Sequence, residues 1–130
     1  MHKKLLIIFA SAVLLNFLFE HLHSFLYVSY RGGEITGAIL ARAALFDAVV
    51  ITIFALPFIL FSTYRRGYTL FIVVCVIFAV ALEKWALGTG RWIYADAMPL
   101  VPYLSVGLTP AIQLALTGYV ALCTAGRQSS

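Results

Sequence analysis

The chain has 130 residues, 63% of them hydrophobic and 11% charged, with a net charge of +4 and a mean hydropathy of +1.01. Soluble domains carry about 25% charged residues, so this composition excludes a water-soluble globule and requires lipid as the solvent for much of the surface. The excess of Lys and Arg marks the ends of membrane segments rather than a nucleic-acid surface, because no basic patch is interleaved with exposed aromatics as single-strand binding requires.

In chain order, His2, Lys3 and Lys4 precede the apolar run Leu5–Phe19. A basic start before an apolar core has the form of a signal peptide. The only A-x-A, Ala10-Ser11-Ala12, lies inside that core, and helical periodicity continues to Tyr27, so an uncleaved first span is expected over 5–27. Tyr30-Arg31-Gly32-Gly33-Glu34 breaks the pattern. A second span is expected over 38–61, with Pro57 near its far end; lipid-embedded helices tolerate proline when neighbours satisfy the freed carbonyl. Thr63-Tyr64-Arg65-Arg66-Gly67 is the next turn, and 68–87 the third span. A long loop over 88–104 leads to a fourth span over 105–123, then a polar tail. The fold class expected is all-α: an integral membrane four-helix bundle forming a single domain.

Lys3, Lys4, Arg65, Arg66 and Arg127 fall on one side of this topology, and Arg31, Lys84 and Arg91 on the other. By the positive-inside rule both termini are expected to be cytoplasmic, in a multi-pass membrane protein. Cys75 and Cys123 show neither CxxC nor metal-ligand spacing and read as small apolar residues.

The polar residues segregate. Glu20, Glu34, Asp47, Glu83 and Asp96 all fall in the outer half, with His21, His23, Arg31, Arg42, Lys84 and Arg91. Ionisable groups within a span face a bundle interior or a cavity, because lipid solvates them poorly. At a rise of 1.5 Å per residue, Glu20 lies about 10 Å and Asp47 about 14 Å from the outer ends of their helices, with Glu83 and Arg42 at about 6 Å.

Asn16, Glu20, His23 and Tyr27 form one helical stripe. Glu20-x-x-His23 has the spacing of di-metal carboxylate bundles, but no second such motif exists in the chain; Glu20 and His23 are weak metal candidates, and nothing calls for a cofactor. His21 points away from the stripe, toward the interface. Asp47, with Ala43 and Ala44 a turn away, is expected to face another helix and to pair with Arg42 from elsewhere in the bundle. Thr109, Gln113, Thr117 and Thr124 form a polar seam on the fourth helix, and Glu83 continues the face of Ile72, Val76 and Ala79. The candidate catalytic residues are therefore Glu20, His23, Asp47 and Glu83. The candidate lipid- or substrate-binding residues are Arg42, Arg91, Trp92, Tyr94 and Gln113; Arg91 is suited to stack on an aromatic or hold a phosphate. Met98–Tyr103 is apolar enough to lie on the membrane surface or dip in as a lid.

Glu83, Gly90-Arg91-Trp92-x-Tyr94, Met98-Pro99, Pro102 and Gly107-x-x-Pro110-x-x-Gln113 resemble a segment of small bacterial inner-membrane proteins. The acidic helix followed by Trp-x-Tyr is also faintly similar to membrane carotenoid cyclases and hydratases. Those enzymes carry a proline followed by paired acids, and Pro110-Ala111-Ile112-Gln113 lacks them, so the resemblance carries over no catalytic residue. The expected function is an accessory, structural or lipid-interacting membrane protein. The alternative is a lipid-phase enzyme or binder using acid–base chemistry on an apolar, isoprenoid-like substrate; a transporter or channel built from oligomers ranks last. Expected partners are membrane lipids, with a second copy or a membrane partner subunit as further options and no nucleic acid.

Overall fold

In the computed structural model, which describes residues 1–61 and 66–127, four helices carry most of the chain. They are α1 (His2–His23), α2 (Gly37–Leu60), α3 (Tyr68–Gly88) and α4 (Leu108–Arg127), each long and apolar enough to cross a membrane, as in a multi-pass membrane protein. The basic turn residue Arg65, with Thr63 and Tyr64, lies outside the described residues, as does the tail 128–130.

The all-α expectation needs one correction. The first helix stops at His23, four residues before Tyr27. A single 3-10 turn, Ser24–Leu26, follows, and then strand β1 (Tyr27–Tyr30) pairs antiparallel with β2 (Trp92–Tyr94), which lies inside what reads as a plain loop. The reason is long-range backbone pairing, which helical periodicity cannot register. Ala95 N–H donates to Leu26 C=O at 2.8 Å, and Arg31 N–H donates to Arg91 C=O at 2.8 Å. Beyond β1 the chain reverses through Arg31 and Gly32, both at positive φ (49° and 76°), with Tyr30 and Gly33 exchanging both backbone bonds. That is a two-residue hairpin of the primed type.

α4 is also shifted, to Leu108–Arg127 from the expected 105–123, so residues 124–127 are helical rather than a polar tail. Its start is set by Leu108 N–H donating to Pro99 C=O and Ala111 N–H to Gly107 C=O, and Pro110 sits in the first turn, where its missing donor is not needed. α2 begins at Thr36, whose hydroxyl accepts from Ile39 N–H at 3.3 Å, and runs unbroken through Pro57.

α1 packs on α2 and α4, and α3 packs on α4, whereas α2 and α3 barely touch. α4 is thus the central post. Half of its apolar window is buried, against 22–28% for the other three helices, and its hydropathy is the lowest, 1.4 against 2.1–2.4. The pattern follows from lipid as solvent: helices that face the acyl chains carry Leu, Ile, Val and Phe outward, while the enclosed helix can hold small and polar residues. Because the C-terminal end of α1 meets the N-terminal end of α4, both termini lie at one end of the bundle and the strands at the other. The termini half has a dry core of Ile8, Ala12, Ile51, Phe71, Cys75 and Ala121.

Candidate functional site

The strand half is built around the Gln113 side chain. Its amide nitrogen lies 2.8 Å from Glu20 Oε1, 3.1 Å from Asp47 Oδ2 and 3.1 Å from Asn16 Oδ1. One residue of α4 therefore ties α1 to α2 through hydrogen bonds alone. An NH2 group has two hydrogens, and three acceptors compete for them. Asn16 Oδ1 is relieved by the Thr117 hydroxyl at 3.2 Å, and the Asn16 amide donates to Ala12 C=O at 2.8 Å. The Asp47 and Glu20 carboxyls thus neighbour each other across one amide group.

His23 continues the network. Its Nε2 is 3.2 Å from Glu20 Oε2, and its Nδ1 is 3.1 Å from Thr109 Oγ1. A hydroxyl can donate or accept, so Thr109 satisfies Nδ1 in either tautomer. The Nδ1 side therefore keeps a partner in either tautomer, while Nε2 faces the Glu20 carboxyl. The Thr109 hydroxyl also reaches Met98 Sδ at 3.6 Å.

Glu83, on α3, belongs to a second cluster. Its Oε1 accepts from Tyr94 Oη at 2.6 Å and from Tyr27 Oη at 3.1 Å, and Tyr94 Oη accepts in turn from Gly107 N–H at 2.9 Å. The small sheet is what delivers both phenols to one carboxyl, since Tyr27 and Tyr94 are register partners. Burial and then the neighbouring Glu83 carboxylate push the Tyr27 phenol well above its ordinary range, and burial and the Glu83 hydrogen bond do the same to Tyr94. Both hydroxyls stay protonated and act as donors. Gly107 has no room for a side chain: a Cβ there would lie 2.8 Å from Met98 Sδ.

Between α2 and α3, where the helices part, a cavity of about 660 Å³ opens over these acids. α2 contributes Ile39, Arg42, Ala43, Phe46 and Asp47; α3 contributes Ala79, Leu82, Glu83, Trp85 and Ala86. Glu20, Gln113 and Leu114 form the floor, and Arg31, Arg91 and Trp92 reach it from the hairpin side. The Arg91 guanidinium stacks on Trp85 at 4.3 Å and that of Arg31 on Tyr30 at 5.5 Å. Trp92 packs between Tyr27 and Tyr30, at 4.7 and 4.8 Å between ring centres.

Of the nine residues singled out from the sequence, Glu20, Asp47, Glu83, Arg42, Arg91, Trp92 and Gln113 line this one cavity, while His23 and Tyr94 stand behind its acids. The expected pairing of Asp47 with Arg42 is not formed: among the described residues Asp47 meets Gln113 and Glu20, and the only contact of a basic side chain with a carboxylate is His23 with Glu20. Arg42 sits more than one turn from Asp47 on the same helix and lines the same cavity. Thr124 is separate from the seam, donating to its own helix at Val120 C=O. His21 is exposed and bonded to Phe17 C=O. Only Met98 of the apolar 98–103 segment is inserted; Leu100 and Tyr103 are exposed. Among the described residues no set of three His, Cys, Asp or Glu side chains forms a metal site.

Sequence reasoning underrated three residues. Tyr27 fell on the acidic stripe but was read as helix, and its pairing with Tyr94 is a tertiary fact. Trp85 carried no signal beyond its place near a helix end. Arg31 was counted only as a loop charge. The chain matches no known protein family, no curated protein and no solved structure.

Proposed function

We propose that the protein is a lipid-interacting protein of the bacterial inner membrane that admits an apolar chain through the gap between α2 and α3 and holds its polar end over Glu20, Asp47 and Glu83. The observation that carries this reading is the cavity itself: a lateral opening between two helices that face lipid, apolar on its walls and acidic on its floor. Polar groups at this depth are costly to keep in lipid, and a polar-ended ligand is the kind of occupant such a floor suits. The basic residues Lys3, Lys4, Arg66 and Arg127 at the termini end support a cytoplasmic position for both termini, with the cavity in the outer leaflet.

A second reading, acid–base chemistry on that lipid, is favoured by two specific features. Three acceptors share the two Gln113 hydrogens, and His23 has a partner at Nδ1 that serves either tautomer. A proton can then move between His23, Glu20 and Asp47 at the cavity floor, as general acid–base work requires.

The test is to purify the protein from membranes and identify co-purifying lipids by mass spectrometry, for the wild type and for Leu82→Trp and Ala43→Phe, which obstruct the gap from opposite sides. A chain-bearing lipid lost in both variants at unchanged protein yield is the expected result. An identical lipid profile in all three overturns the reading. Cells with and without Glu20→Gln separate the two readings: an altered lipid profile at normal protein abundance supports chemistry, and an unaltered profile leaves binding alone.

A further inference from the structure

We infer that the mouth of the α2–α3 cavity is a phosphate-binding rim, so that the lipid admitted there carries a phosphate head, with the atoms just below the phosphate brought to the Glu20–Asp47 pair. This rests on the lipid reading above and deepens it.

Three guanidiniums, Arg31, Arg42 and Arg91, line the one cavity. Among the described residues none of the three meets a carboxylate. A lone interfacial arginine snorkels to whatever phosphate is near; three from different elements around one opening constitute a cluster. Their positions are built. Arg31 directly follows β1 and Arg91 directly precedes β2, and the two are locked together by the 2.8 Å bond between Arg31 N–H and Arg91 C=O. Each is held by an aromatic plate, Tyr30 and Trp85 respectively. Stacking leaves the guanidinium edge, with its N–H donors, free for a planar fork to an oxyanion. Arg31 also occupies a hairpin position at φ 49°, which Asn or Gly fills at lower cost; strain of this kind is retained where the surroundings fix it.

The acids of the same cavity set the depth. Arg42 and Asp47 are five positions apart on α2, about 7.5 Å along the axis. Positive charge therefore rims the mouth and carboxyls lie a turn deeper. A free anion would gain nothing from that floor. A lipid would: its phosphate belongs at the interface, and its first carbon atoms reach the depth of Glu20 and Asp47. Below them, the α2–α3 seam continues as an apolar groove lined by Ile53, Phe54, Pro57 and Leu70, matched to a hydrocarbon tail.

The experiment uses the intact protein in detergent, with thermal stabilisation and native mass spectrometry against geranylgeranyl phosphate, geranylgeraniol, dioleoyl phosphatidic acid and inorganic phosphate. Geranylgeranyl phosphate is expected to bind about tenfold or more tighter than the alcohol, the scale of one or two charge-assisted hydrogen bonds. In Arg42→Gln/Arg91→Gln that preference is expected to fall to near unity while the alcohol still binds, which shows that the fold is intact. Phosphatidic acid binding as tightly as geranylgeranyl phosphate assigns the rim to phosphate lipids in general; binding only the latter assigns it to single-chain ones. Equal affinity for alcohol and phosphate overturns the rim while leaving lipid binding standing, as does a preference that survives in the arginine variant. Inorganic phosphate binding as well as the lipids do overturns the lipid assignment of the rim. If no lipid binds and Leu82→Trp changes nothing, the lipid reading fails and this inference with it.

Discussion

The two halves of the α2–α3 seam are made of the same two helices, yet one is narrowed to an apolar groove and the other opens into a cavity over carboxyls. In the termini half, Phe54 stacks edge-on to Phe78 at 5.2 Å and Phe58 to Phe71 at 5.4 Å, so rings stand between the helices and an apolar groove is what remains. In the strand half, Ala43, Ala79 and Ala86 stand where rings would be needed, and the gap becomes a cavity. The difference lies in side-chain size at the seam, and it coincides with the only buried acidic side chains among the described residues: Glu20 and Glu83 are each 7% exposed. The opening is placed over the polar cluster by small residues from both helices, where a simple packing fault would have no reason to fall.

If that contrast is correct, the halves should fail differently. The largest effect is expected at Gln113. Gln113→Leu removes the donor shared by Glu20, Asp47 and Asn16, leaving buried acceptors without partners. Such groups cost roughly 1–3 kcal/mol each, so a loss of about 3 kcal/mol in a detergent unfolding titration is expected. A loss under 0.5 kcal/mol, the scale of an ordinary membrane hydrogen bond, would show that the cluster is not what joins α1, α2 and α4. In the dry half the matching position is Gly118, where a Cβ would lie 3.0 Å from the Phe71 ring and 3.3 Å from Ile51 Cγ1. Gly118→Val is expected to destabilise by about 2 kcal/mol through overpacking, and Phe71→Leu in the same chain should restore part of it.

How much of this was legible beforehand follows from which forces leave a periodic trace. The four spans were readable because each needs some twenty apolar residues to cross lipid, a signal no tertiary contact can hide. A carboxyl within a span has few options, and Glu20, Asp47, Glu83 and Gln113 line one cavity. What failed was pairing. Tyr27 continues the stripe of Asn16, Glu20 and His23 in sequence, but its backbone is claimed by Tyr94, far along the chain. Arg42 was matched to Asp47 by charge, whereas an uncharged amide and a second carboxyl are the actual neighbours. Opposite charges seek one another in a sequence reading; here a neutral amide donor takes the place of the cation.

The cavity and the dry core should also differ in sign. Ala43→Leu puts volume into open space and is expected to stabilise by about 1 kcal/mol, from the apolar area it buries, while abolishing lipid co-purification. Ala55→Leu makes the same change in a filled site, where the alanine is fully buried, and is expected to destabilise by about 2 kcal/mol. Thermal unfolding of the pair decides the matter: if both destabilise equally, the strand half is packed as tightly as the termini half and the contrast is lost.

The smallest effects separate the two tyrosines that hold Glu83. Tyr94 both donates to Glu83 and accepts from Gly107 N–H, so Tyr94→Phe breaks a link from α3 to the start of α4; Tyr27→Phe removes only one of two donors. Losses of about 1 and about 0.5 kcal/mol are expected in that order. Their pH dependence sharpens the comparison. Both phenols are raised above the value of about 10 they hold when unfolded. The unfolded chain therefore ionises first as pH rises, the stabilising term is complete below pH about 10, and it is lost between that value and the raised folded ones. Tyrosinate absorbance of the folded protein should show Tyr27 and Tyr94 silent where free phenol titrates, ionising only as the protein unfolds. In Tyr27→Phe/Tyr94→Phe the alkaline loss of stability should flatten. Were both to titrate normally in the folded wild type, water would reach Glu83 freely and the strand half would be a solvated vestibule, with no dry site for proton transfer.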